Sequence, residues 1–287
     1  MRTVLVTGSN GQLGNCIKDI ESNNLNIIYT DYLELDISDL DKVKSFFKSH
    51  GPIDYCVNCA AYTAVDNAEK EPEKAYQINA LGPKNLALTC ELNSTVLIQV
   101  STDFVFDGEK TEPYKETDLP NPLSVYGKTK WKGENFIQQI CSKHIIIRTS
   151  WLYSPFGNNF VKTMLRLAET NMKLNIVNDQ IGTPTNAYDL AGVILHIIGK
   201  DSYMQKNGES IPFYGTYHYS NEGICSWFDF AKKIFEINNI KIELQPIPTI
   251  NYPTPAKRPH YSVLDKAKIK RTFGLEIKNW EETLKKY

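Results

Sequence analysis

A chain of 287 residues, 41% hydrophobic and 23% charged, can bury a substantial core in one large or two medium domains. Its formal net charge of −1 gives no reason to expect nucleic acid or an anionic membrane as partner. No run approaches a membrane-spanning helix, and Met1-Arg-Thr-Val-Leu-Val enters a strand without a signal stretch, so the reading is a cytoplasmic protein.

The first half alternates strand and helix signals. Residues 3–7 form a short β-rich run, and 11–20 then read as a helix. Residues 26–31 are a second strand, and a helix near 40–49 carries Val43, Phe46 and Phe47 on one side. Residues 53–61 are a third strand, with 68–77 and 83–92 helical. Residues 95–101 are a fourth strand, 126–139 a helix and 144–149 a fifth strand. Continuous apolar strands separated by such helices imply right-handed crossovers and a parallel sheet covered on both faces. Residues 1–150 are therefore expected to be a doubly wound α/β Rossmann domain. After Ser150 the texture changes: helices near 160–168 and 188–199 alternate with loops, short strands and prolines such as Pro246, Pro253 and Pro259. Residues 151–287 read as mainly a smaller α/β substrate-binding lobe. Either 214–220 or the helix at 227–236 is a candidate for returning to the main sheet.

Cys56 and Cys59 form a CxxC. A redox or zinc reading would need the pair at a helix start, or a second CxxC, and neither exists. In an apolar strand, positions three apart point to opposite faces, so both read as small buried hydrophobes. The five histidines show no metal-ligand spacing, and no metal is assigned.

Gly8, Gly11 and Gly14 follow the first strand in a GxxGxxG spacing at the start of a helix. Glycine lets the backbone turn tightly and approach a pyrophosphate, while the helix N-terminus presents unpaired N–H groups and partial positive charge. Asp31, ending the second strand, is placed to accept from an adenosine ribose. That favours NADH, since a 2′-phosphate would meet a negative charge and no arginine follows immediately. Asp36 is placed to reach the adenine edge. Ala60, Ala61, Tyr62 and Thr63 leave the third strand with two small side chains, which let a nucleotide lie against the backbone.

Tyr126 and Lys130 form a YxxxK, a spacing that chance alone supplies roughly 1.5 times in a chain of this composition. Context gives it weight. Both residues share a face at the start of a helix, downstream of Thr102, which ends the fourth strand. A phenol titrating near ~10 is a poor donor around neutrality. An ammonium ~4 Å away at an effective dielectric of ~20 would draw it down by roughly three pH units. That is the scale general acid catalysis of a carbonyl reduction requires.

TGSNGQLG (7–14), NCAAYTAVDNAE (58–69), QINA (77–80), VSTDFVFDG (100–108) and PLSVYGKTK (122–130) are similar to motifs of the dTDP-4-dehydrorhamnose reductases, extended short-chain dehydrogenases. So are RTSWLYSPFGNNFVKTMLRLA (148–168), NDQIGTPT (178–185) and YPTPAKRPHYSVLD (252–265), so the resemblance covers nearly the whole chain. It implies reduction of the C4 ketone of dTDP-4-dehydro-6-deoxy-L-mannose to dTDP-L-rhamnose, with NADPH or NADH, for cell-surface polysaccharide. It further implies that Tyr126 protonates the C4 oxygen, that Lys130 lowers the phenol's pKa and holds the nicotinamide ribose, and that Thr102 orients the ketone. Asp103 would lie next to the sugar, Trp151 would pack on sugar or nucleotide, and Arg258 is a candidate for the substrate pyrophosphate. Gly11, Gln12, Leu13, Asp31, Asp36, Ile37, Ala61, Tyr62 and Thr63 would line the dinucleotide. Similar sugar-nucleotide dehydratases carry an acid directly after the Thr-Asp pair; here Phe104 stands there and cannot transfer a proton.

Two other readings stay open. Similar proteins serve as non-catalytic regulatory subunits of methionine adenosyltransferase, although such a binder has no chemical need for the phenol. A sugar-nucleotide epimerase would instead keep its cofactor through the cycle. A homodimer is admissible, but no residue fixes the oligomeric state.

Overall fold

The computed structural model describes residues 1–20, 24–206 and 213–285. In chain order, β1 (Arg2–Thr7), α1 (Gln12–Asp19), β2 (Leu25–Tyr29), α2 (Leu40–His50) and β3 (Tyr55–Asn58) come first. Two short helices, α3 (Val65–Ala68) and α4 (Pro72–Tyr76), run through a π-helical turn (Gln77–Leu81) into α5 (Gly82–Leu92). Then follow β4 (Val96–Thr102), α6 (Val125–Ile140), β5 (His144–Thr149), β6 (Leu152–Tyr153), α7 (Phe160–Ala168), β7 (Lys173–Val177), β8 (Ile181–Gly182) and β9 (Thr185–Asn186). The remainder is α8 (Ala187–Lys206), β10 (Gly215–His218), β11 (Cys225–Ser226), α9 (Trp227–Ile237), β12 (Glu243–Ile247), α10 (Ala267–Phe273) and α11 (Trp280–Thr283).

Six strands form one parallel sheet in the order β2-β1-β3-β4-β5-β10. Its central strands are apolar on both sides because helices cover both faces. Ile17 of α1, Leu190 and Ile194 of α8, and Ile269 of α10 pack on one face. Val43 of α2, Leu86 and Cys90 of α5, and Ile137 of α6 pack on the other. Neighbouring strands β2 and β3 lie on opposite sides of β1, so the chain changes direction there. The crevice beyond the C-terminal ends of β1 and β3 is where such sheets bind ligands.

A second cluster joins Tyr153, Val161, Met164, Phe230, Ile234 and Trp280 around α7 and α9, beside the two-stranded β12-β7 pair. Helix α9 opens with a reciprocal cap: Ser226 Oγ accepts from the Asp229 N–H and Asp229 Oδ2 from the Ser226 N–H, at 3.1 and 3.0 Å. The proline-rich segment near the C-terminus stitches the parts together. Ile181 N–H donates to His260 O and Ser262 N–H to Ile181 O on one side, while Tyr114 N–H donates to Val263 O on the other, at 2.7–2.8 Å.

Several elements depart from the sequence reading for local reasons. The third strand stops at Asn58 rather than 61, and Asp31 lies two residues past the end of β2. The helix expected at 68–77 is broken, because Pro72 lacks the N–H that would continue α3 and instead starts α4. Helix α8 runs to Lys206, well beyond 199, and lies on the main sheet beside α1. Residues 214–220 contain β10, paired with β5, whereas those at 227–236 lie in the second cluster.

Candidate active site

The loop after β1 is shaped by close backbone contacts. Gly8 takes φ +63°, and a Cβ there would stand 2.5 Å from the Ala60 nitrogen, so only glycine lets β1 and β3 release their loops side by side. Gly11 caps α1 without a side-chain cap. A Cβ on it would meet Gly8 O at 3.2 Å and little else, so its open side is the cleft. Asn10 N–H donates to Asp31 Oδ2 at 2.9 Å, which holds the carboxylate against the loop. Bare glycine backbone, uncapped N–H groups and a stationed carboxylate are the donor and acceptor set that a dinucleotide pyrophosphate and ribose require. The residues present fit such a cofactor.

A polar ladder then crosses the strand ends. Thr7 Oγ1 donates to Asn58 Oδ1 (2.6 Å), Asn58 Nδ2 to Gln99 Oε1 (2.7 Å), and Gln99 Nε2 to Val100 O (2.7 Å). The same Val100 carbonyl accepts from Lys130 Nζ at 2.7 Å, pinning the lysine head to the sheet. Burial pushes Lys130 down to about 8, opposed by the charge of Glu134 and a weaker contribution from Cys59. Thr102, at the end of β4, donates to Asp103 Oδ1 at 3.0 Å and accepts from Phe104 N–H at 3.2 Å. Its hydroxyl also shares a hydrogen bond with Tyr126.

Burial drives the Tyr126 phenol up to about 12; the Thr102 bond pulls the other way, and Asp103 adds to the rise. The expectation that an adjacent ammonium draws the phenol down by three units is therefore corrected. Lys130 is anchored on Val100, and desolvation prevails over any cationic help. The phenol ring meets Phe104 edge-on at 5.5 Å. Asp103 is buried, and its Oδ2 has no hydrogen-bond partner among the described residues. Burial raises its carboxyl to about 6, against hydrogen bonds from Ser262 and Thr102.

These groups open into one cleft of about 1350 Å³ that runs from the glycine loop to Trp151, Phe160 and Trp227 beside the second cluster. The whole chain, residues 1–287, matches the family model described as RmlD substrate binding domain. The chain belongs to that family. It is 42% identical over 293 aligned positions to dTDP-4-dehydrorhamnose reductase of Aggregatibacter actinomycetemcomitans, covering 99% of this chain and 98% of the relative. A solved dTDP-4-dehydrorhamnose reductase of Clostridium acetobutylicum superposes with TM-score 0.92 at 45% identity, covering 99% of this chain and 97% of the other. Another, from Bacillus anthracis in complex with NADP, does so with TM-score 0.91 at 40% identity, over 98% and 97%.

Within this RmlD-family cleft lie Gly8, Gly11, Gln12, Leu13, Asp31, Asp36, Ile37, Ala61, Thr63, Thr102, Asp103, Tyr126, Lys130, Trp151 and Arg258. Two residues expected at the cofactor are not on its lining. Gly14 faces Ser9, where a Cβ would stand 2.5 Å from the Ser9 Cα, so it serves helix–loop packing. Tyr62 turns its phenol to Glu71, while Asn79 grips its backbone N–H (2.8 Å) and carbonyl (3.0 Å). Trp151 adopts φ +47°, unusual for a bulky residue, and stacks on Trp227 with centroids 3.5 Å apart. Arg258 is held bidentately by Asp66 at 3.1 and 2.7 Å.

Sequence reading passed over Trp227 and Phe160, which line the cleft. It placed Cys59 in a strand interior; the residue instead lies past the end of β3, on the lining. Glu134 and Arg148 were also passed over. One signal for them was available: Arg148 stands in the apolar run HIIIRT, and a charge in a buried strand demands a partner. Among the described residues no group of three or more His, Cys, Asp or Glu could hold a metal, and no helix is long and apolar enough to cross a membrane.

Proposed function

We propose that this protein reduces the C4 ketone of dTDP-4-dehydro-6-deoxy-L-mannose to dTDP-L-rhamnose, using NADPH or NADH, for cell-surface polysaccharide. The observation that carries this reading is the meeting of Thr102, Tyr126 and Lys130 on the wall of the cleft that the glycine loop opens. Reductases of that name, one of them solved with NADP, are relatives at 40% identity or more.

The dinucleotide, when bound, supplies the hydride. Tyr126 then gives its proton to the C4 oxygen. A phenol at about 12 suffices, because an alkoxide oxygen is about as basic as hydroxide, whose conjugate acid is near ~15.7. The transfer is downhill without a strongly acidic tyrosine. Thr102 lies between the phenol and Asp103 and orients the ketone; turning its one proton from Asp103 Oδ1 to the phenolate oxygen stabilises the charge left behind. Lys130, as an ammonium fixed on Val100 O, offsets the phenolate charge and holds the nicotinamide ribose. Asp103 stands on the cleft wall beside the sugar, with its Oδ2 buried from the cleft. Trp151 packs beside the sugar nucleotide, and Arg258 meets its diphosphate. Phe104 packs on the phenol where a dehydratase would need an acid.

Incubation with dTDP-4-dehydrorhamnose and each reduced cofactor tests the reading, with the product identified by NMR. Tyr126→Phe should lose roughly 10²–10⁴-fold in kcat while keeping cofactor affinity. Unchanged turnover in that variant would remove the assigned acid.

A further inference from the structure

Tyr126, Lys130 and Glu134 succeed one another at four-residue spacing along α6, so they share one helix face from the cleft inward. Glu134 has no exposed side-chain surface, and its oxygens are saturated. Arg148 Nε donates to both oxygens at 3.1 Å, and Arg148 Nη2 to Oε2 at 2.7 Å. The Ser101 hydroxyl donates to Oε1. Arg148, itself buried at 2%, lies over the rings of Phe106 (5.1 Å) and Trp131 (5.8 Å), with His218 Nε2 3.4 Å from Nη1. Burial and the Arg148 charge keep His218 neutral, pushed down to about 3.

We propose that Glu134 and Arg148 are a positioning pair for the Tyr126–Lys130 couple. The carboxylate one turn beneath Lys130 is the counter-charge that keeps it an ammonium in the cleft, and Arg148 sets how much of that charge Lys130 receives. The inference rests on the catalytic reading of Tyr126 and Lys130 given above. The groups acting on Lys130 come from each element around it. Val100 O of β4 accepts a hydrogen bond from it, the Cys59 thiol lies beyond β3, and Glu134 stands on its own helix with Arg148 of β5 behind it. Asp103, in the turn after β4, acts on Tyr126 instead. Ser101 and Arg148 fix the carboxylate so that it cannot swing to bond Lys130 directly. Its influence is through space, about a helical turn away, where an effective dielectric of ~20 still gives a shift on the order of one to two pH units.

An ion pair that served only the core would leave Lys130 indifferent to which partner is removed. The two arms of the test therefore have opposite signs. Lysine Cε–H signals of the whole protein are titrated by NMR, with Lys130 assigned from Lys130→Met, alongside the pH profile of kcat. Glu134→Gln should move the Lys130 midpoint from about 8 to lower pH by about one unit, and the alkaline limb of kcat with it. Arg148→Met should move both upward. Because Glu134→Gln leaves Arg148 buried without a partner and threatens folding, the double variant Glu134→Gln/Arg148→Met removes both charges. Its Lys130 midpoint should fall between those of Glu134→Gln and the native protein. Glu134→Asp should restore most of the native midpoint. Shifts of the same sign in the two single variants, or a Lys130 midpoint unmoved in the double variant, would overturn the proposal. An NMR shift of the expected signs with no matching shift in the kcat limb would retain the pairing and sink the role given to Lys130.

Discussion

Asp103 is where the chemistry of the cleft conflicts with the stability of the fold. A buried carboxylate with an oxygen left unpartnered is costly when ionised, and burial raises its pKa to about 6. The folded protein therefore holds this proton more tightly than the unfolded chain does, where the reference is near ~3.9. The resulting stabilisation is fully present below about 3.9 and is lost as pH rises through about 6. Asp103→Asn, neutral and of the same shape, should thus be more stable than the native protein at pH 8 by on the order of 2 kcal/mol. The advantage should vanish near pH 4. Thermal melts of both proteins across that range check this, and a gap independent of pH would show that burial is not the cause. The same variant should turn over more slowly, since Thr102, which donates to Asp103 Oδ1, loses its charged acceptor. That Thr102, Tyr126 and Lys130 meet on one cleft wall was legible, because their residue types and spacing suggest one chemistry. The direction of the Tyr126 shift was not, because it depends on which groups burial removes from water, and spacing carries no burial.

Helix α6 is held close to its neighbours by glycines rather than by large side chains. A Cβ at Gly127 would lie 2.2 Å from Phe104 O, and one at Gly133 would lie 2.3 Å from Asn79 O. Both neighbours are backbone, which cannot rotate away. The π-helical turn brings Asn79 inward, where its amide also reaches Thr129 of α6 at 3.3 Å. Helix position and cleft wall are thus one structure. Gly133→Ala should cost about 1–3 kcal/mol by overpacking. Because α6 carries Tyr126 and Lys130, it should lower kcat by more than it raises the KM for cofactor. Denaturant melts and steady-state kinetics on the same sample decide this; an equal loss in both constants would mean that α6 moves as a rigid unit with the glycine loop. The fifth strand, 144–149, was readable to the residue, because its apolar run is bounded by polar residues; the other strands were found with ends displaced by one to three residues. The π turn was not, since QINA has no propensity that distinguishes it from an ordinary helix, and its cause is the packing of Asn79 against Tyr62 and α6.

The order of elements along the chain does not follow their grouping into the main sheet and the second cluster. Helix α8 and β10 belong to the main sheet although the chain builds much of the second cluster before and after them. A parallel sheet can recruit an edge strand from any point that a crossover can reach, and local pattern does not reveal which. The segment around 252–265 then closes the arrangement, bonded to Ile181 on one side and Tyr114 on the other. Arg258 reaches from it across to Asp66 of α3, where a second donor, Ala256 N–H, meets the same carboxylate at 3.1 Å. Asp66 and Arg258 are both part-exposed, so the pair should contribute under about 1 kcal/mol to stability. Its larger effect is on the guanidinium: two donors are committed to Asp66, which fixes the plane of the group at the cleft mouth. Asp66→Asn should therefore leave the melting temperature within a few degrees of native and the KM for cofactor unchanged, while altering the KM for the dTDP-sugar several-fold. A rise in that KM means that the carboxylate pre-aims Arg258 at the diphosphate. A fall means that it competes with the diphosphate for the same donors. An unchanged value would leave the contact as a clip between segments and take Arg258 out of the substrate site.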